Sequence, residues 1–159
     1  MKVGDKVKIK IGSKVRMDFN TWKYPYLPNG EKDPIFVIDK FFDKERVWVK
    51  AKGFGKEKDY GNGKILVHKK DLIPINNKKA LLEYYMKLPY SIKITPCEEG
   101  GYVAKVIELK GCITQADNWQ ELYKQIEDAK KGWIETAIEE EINIPLPEVI
   151  IEKIKENNF

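Results

Sequence analysis

Val7, Ile9 and Ile11 alternate with Lys6, Lys8 and Lys10, the period-two spacing of a half-buried strand. Val15, Met17 and Phe19 continue the alternation after a Gly12-Ser13 break. From Asn20 to Asp33 the pattern lapses, with Pro25, Pro28 and Gly30 among Trp22, Tyr24 and Tyr26, which predicts a long exposed loop. Period two returns in Ile35–Ile38 and Arg46–Lys50, joined by a polar Asp43-Lys44-Glu45 turn, a hairpin signal. Gly53, Gly55, Gly61 and Gly63 mark an excursion before Ile65-Leu66-Val67 and Lys70–Ile75. Five short strands with glycine-rich connections predict a small closed β-barrel over residues 1–76.

Asn76-Asn77-Lys78-Lys79 is a polar junction, and it places a second domain at 77–159. Ala80–Met86 reads as a short helix stopped by Pro89. Tyr90–Ile94, Tyr102–Ile107 and Cys112–Gln115 read as three strands, with a tight Glu98-Glu99-Gly100-Gly101 turn between the first two. Then Trp119, Leu122, Tyr123, Ile126, Ala129, Trp133, Ile134, Ala137 and Ile138 recur at helical spacing among polar residues. This predicts a long amphipathic helix capped by Asp117, with Glu121 complementing its N-terminus, and ending near Glu141 ahead of Pro145 and Pro147. Trp119, Tyr123, Ile126, Trp133 and Ile134 are expected to bury against Ile92, Ile94 and Val103. The fold class predicted is α+β.

Charge divides the chain. Residues 1–79 carry 20 lysines and arginines against 10 acids, and residues 80–159 carry 9 against 15, so +10 and −6 underlie the net +4. The two halves are thus expected to suit partners of opposite sign. Only Arg16 and Arg46 are arginines, whereas specific readers of nucleic acid lean on the planar arginine fork. No apolar run approaches the roughly 18–20 residues of a membrane span, and no signal segment opens the chain, so the expectation is a cytoplasmic protein without membrane contact.

Chemistry is sparse. Cys97, Cys112 and His68 have no metal-ligand spacing, and no metal or cofactor is expected. His68 has no carboxylate or nucleophile beside it in sequence, so it reads as a surface or edge residue. Cys112 reads as a small core hydrophobe. In the basic half, Lys8, Lys10, Arg16, Trp22, Lys23 and Tyr24 interleave cations and aromatics, a pattern that stacks bases and neutralises phosphate. The competing reading is that these aromatics fold back over the open end of the barrel.

Two resemblances follow from these residues. The opening Val3–Val7 and the closing Asp71–Ile75 resemble small barrels of the Src-homology-3 type, found in bacterial nucleic-acid- and ribosome-associated proteins. Tyr90–Pro96, Glu98–Ala104, Glu108–Gln115 and the later Ile144-Pro145-Leu146-Pro147 resemble the HicB-like antitoxin family over residues 85–148. That resemblance implies a partial RNase H-like fold of three strands on one long helix, plus a short final strand. It also implies a non-enzymatic antitoxin that neutralises a small basic HicA-like toxin, which cleaves messenger RNA. Homo-oligomerisation is expected on the same ground. Many members append a ribbon-helix-helix or helix-turn-helix segment with which they repress their own operon; Val149–Phe159 are too few for either, a departure from the family pattern that leaves autorepression open.

Glu98, Glu99, Tyr102, Glu108 and Trp119 are the expected toxin-binding residues. Metal-dependent cleavage by an RNase H-like core needs converging carboxylates. Glu108, Asp117 and Glu121 are the acids at hand, and the first strand offers none. The alternative reading of the whole chain is a nucleic-acid- or ribosome-associated module that acts through its basic barrel on RNA, DNA or a protein neighbour.

Overall fold

The computed structural model describes residues 1–10, 14–17, 20–23, 36–51 and 64–156. The chain forms two compact units, the first reaching Leu81 and the second beginning at Leu82.

The first unit is an antiparallel sheet of β1 (Lys6–Ile9), β2 (Lys14–Met17), β3 (Asn20–Lys23), β4 (Phe36–Phe41), β5 (Arg46–Ala51), β6 (Lys64–His68) and β7 (Leu72–Pro74). Its spatial order is β3-β2-β6-β5-β4-β1-β7. The five expected strands are β1, β4, β5, β6 and β7. Their inward positions, Val7, Ile9, Phe36, Ile38, Val47, Val49, Val67 and Leu72, form one buried cluster. Period-two alternation has put Val7 and Ile9, Phe36 and Ile38, and Val47 and Val49 into this core.

Two expectations for this unit are corrected. The stretch from Asn20 is not loop throughout, because Asn20–Lys23 pairs residue for residue with Lys14–Met17. That ladder pairs residues three to nine positions apart, a partnership that the composition from Asn20 onward does not announce. Nor does the sheet close into a barrel. Closure requires its outermost strands to pair. Here β3 and β7 stand at opposite ends of a linear order, the added β2–β3 hairpin extending the sheet beyond β6.

The β4–β5 turn is built by Asp43, whose Oδ1 accepts the backbone N–H of Glu45 at 2.8 Å and of Arg46 at 2.7 Å. Its Oδ2 accepts Arg46 Nε at 2.7 Å. A carboxylate that accepts from nearby backbone amides substitutes for a backbone turn. The Arg46 guanidinium holds the Asp43 carboxyl below the usual carboxylate range.

Helix α1 (Lys78–Met86) is capped by Asn77 Oδ1, which accepts Ala80 N–H at 3.0 Å. In the second unit β8 (Ile92–Pro96), β9 (Tyr102–Val106) and β10 (Ile113–Ala116) form an antiparallel sheet in the order β10-β9-β8. Helix α2 (Trp119–Glu139) packs over β9 and β10. It buries Leu122, Ile126, Lys130, Ile134 and Ala137, while Ala104, Val106, Leu109 and Cys112 are buried in the same unit. Lys130 sits on this face with its Nζ 2.7 Å from Glu127.

The helix start differs from expectation by one residue. Asn118, not Asp117, is the N-cap, and its side chain accepts Glu121 N–H at 3.0 Å. The C-terminus closes with Glu141 at φ +53°, while Ile142 N–H donates to the Ala137 carbonyl at 2.8 Å. This is a left-handed cap that stops the helix two residues short of Glu141.

Beyond it Ile144 and Leu146 are buried. Tyr90 Oη donates to the Pro145 carbonyl at 3.0 Å, tying the tail to the start of β8. The expected short final strand is absent from 142–156; the chain instead forms α3 (Glu148–Glu156). Val149, Ile150, Ile151 and Ile154 fall at helical rather than period-two spacing, which favours helix.

Candidate functional site

The Glu98–Gly101 turn sits against the start of α2, and glycine makes this possible. Gly100 and Gly101 have φ +99° and +81°. A Cβ on Gly101 would stand 2.8 Å from the Ala116 carbonyl oxygen and 3.3 Å from Asp117 Cα. No other residue fits that approach. The turn closes with Cys97 N–H on the Gly101 carbonyl and Gly100 N–H on the Cys97 carbonyl, both at 3.1 Å.

Register then sets Tyr102 opposite Ala116, at the mouth of α2. The Tyr102 and Trp119 rings lie 4.9 Å apart at 39°. Trp119 is nevertheless 54% exposed, and Tyr123, one turn further, is 72% exposed. Glu98 and Glu99, four and three residues before Tyr102, and Asp117 and Glu121, two residues either side of Trp119, are exposed as well. The result is an aromatic patch with an acidic surround at one end of the unit. Such a surface suits a cationic protein partner, for which rings supply contact area and carboxylates supply steering.

Four of the five residues expected to meet a toxin share this end: Glu98, Glu99, Tyr102 and Trp119. Glu108 does not, since it follows the opposite end of β9. Its carboxylate accepts Ser91 N–H at 2.9 Å, Ser91 Oγ–H at 2.9 Å and Glu148 N–H at 3.1 Å. Those bonds tie β8, the β9–β10 connection and α3 together.

The expected burial of the helix aromatics is corrected. Trp119 and Tyr123 are exposed, Trp133 is half-buried, and Ile92 is 42% exposed on the edge strand. A 21-residue helix is about 30 Å long, whereas a five-residue strand is about 17 Å, so α2 overhangs its sheet. At its N-terminal end Leu122 is fully buried, while Trp119 and Tyr123 on either side of it are exposed. Tyr123 was missed as a surface residue because its helical angle matches the buried stripe.

The basic candidates are dispersed. Lys8 is 8% exposed, and Lys10 Nζ donates to the Lys70 carbonyl at 2.7 Å. Register sets Arg16 opposite Thr21 and Lys23 opposite Lys14, but Trp22 opposite Val15. Alternation therefore assigns positions 16 and 23 to one face of the sheet and position 22 to the other. Tyr24 lies outside the described residues.

Reactive chemistry is limited among the described residues, where no three His, Cys, Asp or Glu residues gather to hold a metal ion. The Cys112 thiol is buried, and desolvation pushes its pKa up against a weaker pull from Lys130. No described helix is long and apolar enough to cross a membrane.

Residues 90–159 match the family described as HicB-like antitoxin of bacterial toxin-antitoxin system. A UPF0150 protein of Synechocystis sp. is 39% identical over 66 residues, which span 42% of this chain and 90% of that protein. No solved structure matches the chain. The β8–β9–β10–α2 arrangement and its tail lie within the matched segment, and through it the chain belongs to the HicB-like antitoxin family.

Proposed function

We propose that this chain is an antitoxin that binds a small basic HicA-like ribonuclease and blocks it by covering its active site. The observation that carries this reading is the exposed Tyr102–Trp119 pair surrounded by Glu98, Glu99, Asp117 and Glu121. A cationic nuclease meets complementary charge there, which speeds encounter, and aromatic anchors, which slow release. The chain acts by binding and carries out no catalysis of its own.

Co-expression with the small basic reading frame adjacent to its gene tests the reading. The chain should relieve growth arrest and co-purify with the toxin. Trp119→Ala together with Glu98→Lys and Glu99→Lys should restore the arrest while leaving the chain folded. Persistent arrest despite soluble wild-type chain removes the reading.

A further inference from the structure

The second unit's sheet ends in β10 on one side and β8 on the other, and the two edges are not alike. Val106 N–H donates to the Cys112 carbonyl at 3.0 Å, so Cys112, Thr114 and Ala116 turn their backbone groups toward β9. Ile113 and Gln115 then turn theirs to the open side, where no described strand lies. On the β8 edge Ile107 N–H donates to the Ser91 carbonyl, which leaves Ile92, Ile94 and Pro96 facing outward. Pro96 has no N–H to offer another strand, and Lys93 stands exposed on the same strand. Proline and lysine are devices that blunt an edge. β10, with the sequence Ile113-Thr114-Gln115-Ala116, carries neither, and Ile113 is 55% exposed.

An open groove of about 500 Å³ lies between β10 and the C-terminal half of α2. Residues of both elements line it and none of β9 does, which puts it on the open side of β10. Ile142, 55% exposed, forms one end. The row of α2 on this side is Gln125, Ala129, Gly132 and Thr136. Gln125 Oε1 accepts the Thr114 hydroxyl at 2.9 Å, and the other three line the groove. Eight of the 21 residues of α2 are charged, and none of them is in this row. Gly132 has no reason within its own chain: a Cβ there meets nothing within 4 Å, yet glycine inside a helix is destabilising. Such a position suits the close approach of another backbone.

Geometry names the occupant. Neighbouring strands stand about 4.8 Å apart, and α2 lies over β9 and β10. Two copies joined through β10 therefore hold their α2 helices about 10 Å apart. Packed helices stand about 8–10 Å apart, and small residues permit the closer end of that range. Charge agrees, because a strand that pairs with its own copy opposes like charges wherever it carries any, and β10 carries none. We propose that the groove and the β10 edge take a second copy of this chain. The two β10 strands pair antiparallel about a twofold axis, making one six-stranded sheet with the two α2 rows in contact across it. The interface lies away from Tyr102 and Trp119 and does not rest on the antitoxin reading.

Sedimentation equilibrium of the full chain tests this. A species of twice 18.5 kDa should form, half-associated on the order of 10 μM, as suits one short strand and one helix row. Ile113→Lys and Gly132→Lys should each raise the dissociation constant about tenfold or more. Thr95→Lys, the same added charge on β8, should change it by less than about threefold.

Far-UV circular dichroism checks that the variants fold. Gly132→Lys has open space for its Cβ and gains helix propensity, and Gln115→Lys is read if Ile113→Lys unfolds the unit. A chain that stays monomeric at about 500 μM overturns the proposal. So does a dimer that survives either the β10 or the Gly132 substitution, and so does one that Thr95→Lys weakens equally, which indicates the β8 edge.

Discussion

The Trp133 indole N–H donates to the Lys110 carbonyl at 3.0 Å and so joins the middle of α2 to the β9–β10 connection. A half-buried indole with this one polar bond is a clamp between two elements that the backbone ladder does not itself connect. Trp133→Phe keeps most of the ring and loses the bond, and should cost about 1 kcal/mol. Trp133→Ala should cost about 2 kcal/mol, below the range for a fully buried tryptophan. Trp119→Ala should cost under about 1 kcal/mol, because that ring is mostly in water. Urea denaturation of the three variants checks the order; a Trp119→Ala loss larger than that of Trp133→Ala contradicts the packing described.

Glu141 holds a left-handed backbone at the end of α2, where a side chain costs roughly 1–2 kcal/mol that glycine does not incur. Glu141→Gly should therefore stabilise the chain by about 0.5–1 kcal/mol, the unfolded-state entropy of glycine offsetting part of the gain. Glu141→Val should destabilise it by about 1 kcal/mol, since a β-branched residue tolerates this conformation poorly. Thermal melts moving in the same direction for both substitutions contradict the cap.

The Asp43 carboxyl is held below its ordinary pKa chiefly by the Arg46 side chain, with backbone bonds from Glu45 and Arg46 adding to the effect. Its folded-state pKa is lower than its unfolded one, so the turn's contribution is complete above the ordinary carboxylate range. The contribution is lost as pH falls through the depressed value. Carboxyl NMR titration should place the Asp43 midpoint below the ordinary aspartate value, and Arg46→Gln should raise it. An unchanged midpoint in Arg46→Gln contradicts the assigned cause.

Much of the architecture is legible in the sequence, because period-two runs with β-branched residues require a half-buried sheet and the 122–137 spacing requires a helix on it. What escapes the sequence is set by pairing and by the path of the chain. The β2–β3 hairpin exists through its pairing, with Asn20–Lys23 reading as loop in isolation. Asp117 and Asn118 are equally good caps by chemistry, and only the chain's path from Ala116 selects the second. Trp119 and Tyr123 lie exposed beside the fully buried Leu122, a difference that three- and four-residue spacing does not announce. The acids of the Glu98–Gly101 turn were legible because two glycines beside two glutamates define a hairpin. The commitment of Glu108 was not, since its partners Ser91 and Glu148 lie 17 and 40 residues away.

Gly101 and the Ala116 carbonyl fit together so closely that the hairpin turn and the end of β10, which leads into α2, cannot shift independently. A partner that docks on this end meets loops already fixed, so little chain entropy is lost on association. Its affinity then reports contacts rather than folding on contact. Gly101→Ala forces the turn away from the Ala116 carbonyl with every acidic and aromatic residue retained, so the affinity it loses measures that fixing.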